Sequence, residues 1–488
     1  MTCKSKVYRG YSRFAFVCTS LRVVSSSLLA SFCCFKSLSF IYLFCFNSRS
    51  QNKSIILAQF AKNKNSYSKK HFLFQVCLSV ALIVNVNISK AHAEEEVINF
   101  AMLAHSDEQE LAIRNLLNKF EAKNKQIKVR LRILNARNYP ELYQKFLKIA
   151  PNVDVLNWYA GKRLFMLAKE GELSPISTLW TTQNLDVLLP ESTKQQVLFD
   201  REIYGLPISL YTWKIFYKKT LFEKLDIDVP ENWQQFNLVL ETLQKNGIVP
   251  IGLGSNPPWQ VAGWFDYLML RINGPDAYEL LVKENLPFTS PQVKSVFEHW
   301  KNMLNKGYFY QEHAKYAGDN LMPLLYRDVI GMNLIGTISL SDLKAFQEDK
   351  IGFFTFPEMN ITGENSILAP MSVLALTKAG KQKKYCAKLI EFFAEPAHQK
   401  VLNQAMSTIS PLSYFEQTTS VHVKKSAQSL SQATHVFQFL DRELSYEMAE
   451  FTKAALARFL EHRDVDKVTK ELELKRLERM QGKISKKE

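Results

Sequence analysis

The chain has 488 residues, room for two or three domains, and its 47% hydrophobic and 22% charged residues are ordinary for a globular protein. A formal charge of +15 would suit nucleic acid or an anionic membrane, yet residues 1–93 hold 13 Lys and Arg and no Asp or Glu. Residues 94–488 are left with about +2, which argues against nucleic acid as a partner of the body.

Cysteine divides the same way. Six of the seven lie before residue 78 and only Cys386 lies in the body, so the body has no internal disulfide or Cys-rich metal site. Cys386 is expected as a small buried residue.

The segment "KKHFLFQVCLSVALIVNVNISKAHA", residues 69–93, has a basic start, an apolar run from Phe72 to Val86 and small residues at Ala91 and Ala93. That is the plan of a secretory signal peptide cut after Ala93, with a run short of the ~20 residues that span a bilayer. It implies export to the periplasm. Residues 1–68 form a doubtful N-terminal extension. Lys36 interrupts its apolar stretch at a cost of ~3 kcal/mol for a membrane span. A start assigned too far upstream is the favoured reading, although no Met lies between Met1 and Met102.

From residue 97 the pattern alternates. "VINFAML" (97–103) is expected as a strand, and "DEQELAIRNLLNKFEAKN" (107–124) repeats apolar residues at helical spacing. "QIKVRLRIL" (126–134) alternates as a strand, residues 139–150 as a helix with Pro140 in its first turn, "VDVLNWY" (153–159) as a strand and "KRLFMLAKEGEL" as a helix stopped by Gly171. Residues 203–219, "IYGLPISLYTWKIFYKK", form one long extended stretch. Helices follow over 231–247, 258–283 and 290–306, strands at "VPIGLG", "IGMNLIG", "IGFFTFP" and "SVLALTK", a helical run over 383–405, and two further helices. The alternation implies α/β layers with a largely parallel sheet. The end, "RMQGKISKKE", is expected as a solvated basic tail from residue 476.

The order of these motifs resembles the family 1 extracellular solute-binding proteins of bacterial ABC importers, the maltose-binding-like group, over nearly all of residues 97–475. Its clearest carriers are "LLNKFEAKN", "YGLPISLYTWKIFYKKTLFEKLDIDVPENWQQF", "IGMNLIG", "IGFFTFP" and "LIEFFAEPAHQKVLNQA". Others, such as "WFDYLMLRINGPDAY" and "FLDRELSYEMAEFTKAALARFLEHRD", are similar to a carbohydrate subgroup. Many relatives have paired glycines where this chain has Ala369-Pro370-Met371. The resemblance implies an α/β, two-lobe periplasmic binding protein fold with a hinge and an interlobe cleft. The implied lobes are 94–203 plus 337–390 and 204–336 plus 391–475.

A sugar offers apolar ring faces and a rim of hydroxyls, which aromatics and Asp, Glu, Asn or Arg complement. Aromatics near strand ends and loops are Trp158, Tyr159, Tyr211, Trp213, Trp259, Trp264 and Tyr316. Tyr211 and Trp213 share one face of an alternating strand, which suits either a cleft or a core. Tyr204, Tyr217, Trp233 and Trp300 are expected as packing. Glu108 and Asp107 suit hydroxyl binding or helix capping, and Asp319, Asp266, Asp441 and Arg442 complete the polar candidates.

These features point to a monomeric protein that closes on a carbohydrate and delivers it to importer permease subunits in the inner membrane. No cofactor or metal is expected. An enzyme is disfavoured, because no motif fixes a carboxylate pair and no H-E-x-x-H, G-x-S-x-G or P-loop pattern is present. The alternative is a ligand-sensing partner of a membrane receptor or sensor kinase, which would use the same fold.

Overall fold

The computed structural model describes residues 96–104, 106–134, 152–337, 350–359, 366–412 and 421–484. The chain divides into two compact units, 1–91 and 92–488. The first unit, with the expected extension and signal segment, lies outside the described residues, as does the helix expected over 139–150.

The second unit begins as its sequence alternates. Strand β1 (Glu96–Leu103) leads to helix α1 (Asp107–Lys123), β2 (Ile127–Leu134), β3 (Val155–Tyr159) and α2 (Lys162–Lys169). In α1 the Ser106 hydroxyl caps the Gln109 N–H, and Ile113, Leu116, Leu117 and Phe120 form the buried stripe. Each such side chain contributes about 1.5–3 kcal/mol on burial. Strands β2 and β3 flank β1 and run parallel to it.

The stretch expected as one strand is two. Strand β4 (Leu206–Leu210) joins the first sheet, antiparallel to Met371–Thr377, whereas β5 (Trp213–Lys218) joins a second sheet. The exchange occurs at Tyr211 and Thr212: the Tyr211 N–H donates to the Pro370 carbonyl, and the Thr212 carbonyl accepts from the Thr337 N–H.

The second sheet is built on β5 with β6 (Val249–Gly252), β7 (Ile330–Gly336) and β8 (Ile351–Phe354), in the order β8-β5-β7-β6. Only β6 and β7 run parallel; β5 is antiparallel to both its neighbours. The expectation of a largely parallel sheet therefore holds for β1 to β3, while the other strands mix parallel and antiparallel pairs. Helices α3 (Trp233–Lys245), α4 (Trp259–Val282) and α5 (Pro291–Asn305) cover one face of the second sheet. Helix α4 is broken at Gly274, before Pro275.

The chain then passes through β9 (Ser366–Leu368) to β10 (Met371–Thr377), which completes the first sheet. Helices α6 (Cys386–Ala394), α7 (Pro396–Met406) and α8 (Val421–Ser431) follow. The run expected as one helical stretch over 383–405 breaks at Pro396. Strand β11 (His435–Phe437) pairs parallel with β9, then come α9 (Leu440–Glu443), α10 (Tyr446–His462) and α11 (Val465–Ile484).

Among the described residues two large hydrophobic cores form, with a smaller cluster around Phe216, Leu321, Leu325 and Ile335. Residues 204–210, 391–412 and 421–430 belong with the first core. Gln399 and Asn403 of α7 donate to the carbonyls of Pro207 and Ile208 on β4, which fixes them there. Residues 351–356 belong with the second core, because β8 pairs with β5. Residues 476–484, expected as a tail, continue α11, where buried Arg476 donates to the Glu284 carbonyl at 2.8 Å.

Candidate functional site

Among the described residues, three passages join the cores: at Tyr211 and Thr212, at 368–371, and at 437–440. The candidate site gathers beside them. Tyr159 ends β3 at the edge of the first sheet, and Arg442 arrives on α9 from the second core. The Arg442 guanidinium lies over the Tyr159 ring, 4.0 Å from its centre, and donates through Nη2 to the Tyr211 hydroxyl at 2.7 Å. Its other arm, Nη1, is buried with no hydrogen-bond partner. Burial raises the Tyr159 pKa, with Arg442 opposing, so Tyr159 remains a neutral phenol.

Trp213 begins β5 next to this pair. Its ring meets Phe439 at 4.7 Å and stands edge-on to Trp259 at 5.4 Å. Helix α4 approaches the indole at Gly263, where a Cβ would collide with the ring; only glycine admits that contact. The indole Nε1 lies beside Gly336 and has no partner. Trp213 is thus 7% exposed, mostly packed, with one polar edge left over.

A buried amide pair holds the next wall. Gln260 accepts from the Gly254 N–H at 2.6 Å and donates to the Asn333 side chain and the Leu334 carbonyl at 2.7 Å each. Asn333 in turn donates to the Gly318 carbonyl at 2.9 Å. This places Gly318 against the Trp259 ring and fixes the turn that follows, where Asp319 Oδ1 is buried without a partner. Tyr316, half-buried in the same turn, packs edge-on to Tyr310 at 6.0 Å.

The expected residues therefore separate. Tyr159, Tyr211, Trp213, Trp259 and Arg442 come together, with Asp441, Tyr316 and Asp319 at the margins. The Asp441 carbonyl accepts from Arg163 of α2 at 2.7 Å. Glu108 and Asp107 sit exposed in the acidic first turn of α1, at the carboxyl-terminal edge of the first sheet that Tyr159 shares. Trp264 is a correction. It is 1% exposed and wedged edge-on against Phe309 and Phe356, so it is core. Trp158 is also core, because strand alternation turns it inward and its indole donates to the Arg163 carbonyl. Asp266 is fully buried and accepts from the Leu440 N–H at 3.0 Å, anchoring α9; burial raises its pKa well above the carboxylate range. Gln260, Asn333 and Phe439 are missed by the sequence reading. The single polar residue in "IGMNLIG" is the signal that marks Asn333.

The profile of the family described as bacterial extracellular solute-binding proteins matches residues 105–400. An uncharacterised ABC transporter extracellular-binding protein of Pyrococcus horikoshii is 26% identical over 228 residues, 45% of this chain. The chain spans about half the length of that relative, 51%. The multiple sugar-binding protein of Streptococcus mutans is 22% identical, over 67% of this chain and 78% of its own length. Among solved structures, the bacterial solute receptor AcbH, described as having an exclusive preference for β-D-galactopyranose, superimposes with a TM-score of 0.71 at 24% identity, over 78% of this chain and 98% of its own. With the matched region covering more than half of its residues, the chain belongs to the bacterial extracellular solute-binding protein family.

Proposed function

We propose that the protein captures a carbohydrate between its two cores and hands it to the permease of an ABC importer, acting in the periplasm after loss of its front segment. The observation that carries this reading is the set of unpartnered polar atoms among aromatic rings: Trp213 Nε1, Arg442 Nη1 and Asp319 Oδ1. An unmet buried polar group costs about 1–3 kcal/mol, and two donors and an acceptor suit hydroxyls that both accept and donate. Tyr159, Tyr211 and Trp259, each half-buried, supply apolar faces for a sugar ring. The Streptococcus mutans and AcbH likenesses support a sugar ligand. Capture needs no catalytic step; ligand contacts to both cores favour the closed arrangement.

A thermal-shift screen of residues 94–488 against mono- and oligosaccharides tests the proposal, with calorimetry on every hit. A sugar that raises the melting temperature and binds one to one is the expected result. Silence from all sugars, with stabilisation by amino acids or peptides instead, would sink the carbohydrate reading.

A further inference from the structure

Strand β5 has two faces with different neighbours. Trp213, Ile215 and Tyr217 enter the second core. Thr212, Lys214 and Phe216 point the opposite way by strand alternation, toward α8. Helix α8 belongs to the first core through Val423, Ala427 and Leu430. Its other side meets the second sheet: His422 packs on Phe216 and Phe353, and Ser429 Oγ lies 3.3 Å from the Lys214 amine. Helix α8 thus joins the first core to the opposite face of the second sheet, four residues before β11 begins the passage at 437–440.

Lys214 is the unusual member of this contact. It is 1% exposed, Ser429 is its hydrogen-bond partner, and no carboxylate among the described residues pairs with it. Opposite it on β7 is uncharged Ile335. The nearby charged or titratable groups among the described residues are Lys425 and His422 on α8 and Arg271 on α4; Arg271 is ion-paired with Glu358 at 3.1 Å, a carboxylate that does not pair with Lys214. Thr212 and Thr337, which share a backbone hydrogen bond, and Ser426, three residues before Ser429 on α8, carry hydroxyls buried without partners. A buried ammonium without a counter-charge is strongly disfavoured, whereas a neutral amine is tolerated.

We propose that Lys214 and α8 form a proton-sensitive clasp between the first core and the second sheet, seated while the amine is neutral and released when it takes up a proton. Burial first, and the Arg271 charge second, push the Lys214 pKa down from 10.5 to about 7. A depressed lysine pKa weakens the seated state toward acid. The clasp is firmest above the released-state pKa, loosens as pH falls, and loses its full contribution below about 7. One proton changes the seating equilibrium by up to about tenfold per pH unit within that window. The clasp acts through the hinge, whatever solute is bound.

Pulsed electron–electron distance measurement on residues 94–488 tests it. Spin labels go on exposed positions of α8 and of the helix after β5, as Lys424→Cys and Thr220→Cys, with buried Cys386 left in place. From pH 9.5 to pH 6 the seated distance population should give way to a longer one. Lys214→Met should stay seated at every pH, and Lys214→Arg, which keeps its charge, should stay released. A wild-type distribution unchanged across this range overturns the clasp without any variant. So does a Lys214→Met protein that follows the wild-type pH profile.

Discussion

The Arg442 guanidinium stacks on Tyr159, so that a side chain of the second core lies flat on one of the first, while a second tyrosine at the first passage, Tyr211, accepts one of its hydrogen bonds. The residues that touch at this point are separated by more than 200 positions in the chain. One free guanidinium arm remains, and its direction is fixed by the stack and the hydrogen bond together.

Lysine cannot reproduce that arrangement, because it lacks the planar fork. Arg442→Lys should leave the fold intact and weaken sugar binding about tenfold, or roughly 1.4 kcal/mol. Titration calorimetry alongside thermal melting checks this. A variant that binds as tightly as wild type would remove Arg442 from the site.

Trp213 combines packing with a polar edge, and two substitutions separate the roles. Trp213→Ala opens a hole against Phe439, Trp259 and Gly263 and should cost about 3–5 kcal/mol of stability. Trp213→Phe keeps much of the ring but loses Nε1, so stability should fall far less while affinity drops by about 0.5–1.5 kcal/mol. Denaturant melts and binding isotherms on both proteins distinguish the two effects. Equal affinity for Trp213→Phe and wild type would leave the indole nitrogen with no part in ligand capture.

Glu443 supplies a cap across the cores. Helix α2 begins at Gly161, which has no side chain to cap it, and the Glu443 carboxylate accepts from the Lys162 backbone N–H. Burial raises the Glu443 pKa to about 6, against the pull of Lys162 and Arg163. A raised carboxylate pKa gives stability that is full below about 4.5 and lost as pH rises through 6. The amount is on the order of 2 kcal/mol. Melting temperatures from pH 4.5 to 7 should therefore fall more for wild type than for Glu443→Gln, whose amide is uncharged throughout. Parallel profiles would show that Glu443 titrates without a bearing on stability.

Gly161 itself has a φ of +72°, and a Cβ there would collide with Glu443 Oε1. Gly161→Ala should destabilise the protein by more than about 1 kcal/mol, through strain and the displaced cap together. Pairing it with Glu443→Ala in a double-mutant cycle should give a non-additive result. Simple additivity would mean that the two positions do not act as one contact.

Much of the fold was legible because its strands and helices follow local periodicity. The α1 stripe at Ile113, Leu116, Leu117 and Phe120 and the strand "IGMNLIG" both appear where the pattern places them. The division between cores was less legible. Nothing local in "GLPISLYTWKIF" says that hydrogen bonding switches sheets at Tyr211, since that depends on Pro370 and Thr337 far along the chain. Alternation correctly put Trp213 with Ile215 and Tyr217, yet could not say that Gly263 and Phe439 would close over that face. Trp264 misled because a Trp after "QVAG" has the same local appearance in a loop wall or in a helix core. The Gln260–Asn333–Gly318 relay joins three separate segments and leaves only a lone polar residue in an apolar strand as its trace.

The three passages between the cores also govern how the molecule can be made. The first core draws on residues up to Leu430 and the second on residues up to Leu472. Any contiguous fragment that contains one core whole also carries much of the other, so neither half is a unit that can be cut out, transplanted or produced alone. During synthesis the early strands wait for partners hundreds of residues away, which is a high contact order and a slow route to closure. A nascent chain of this design keeps its cores unfinished until its last helices emerge. It therefore stays threadable late into translation, and it depends for that interval on whatever shields unfolded protein from its neighbours.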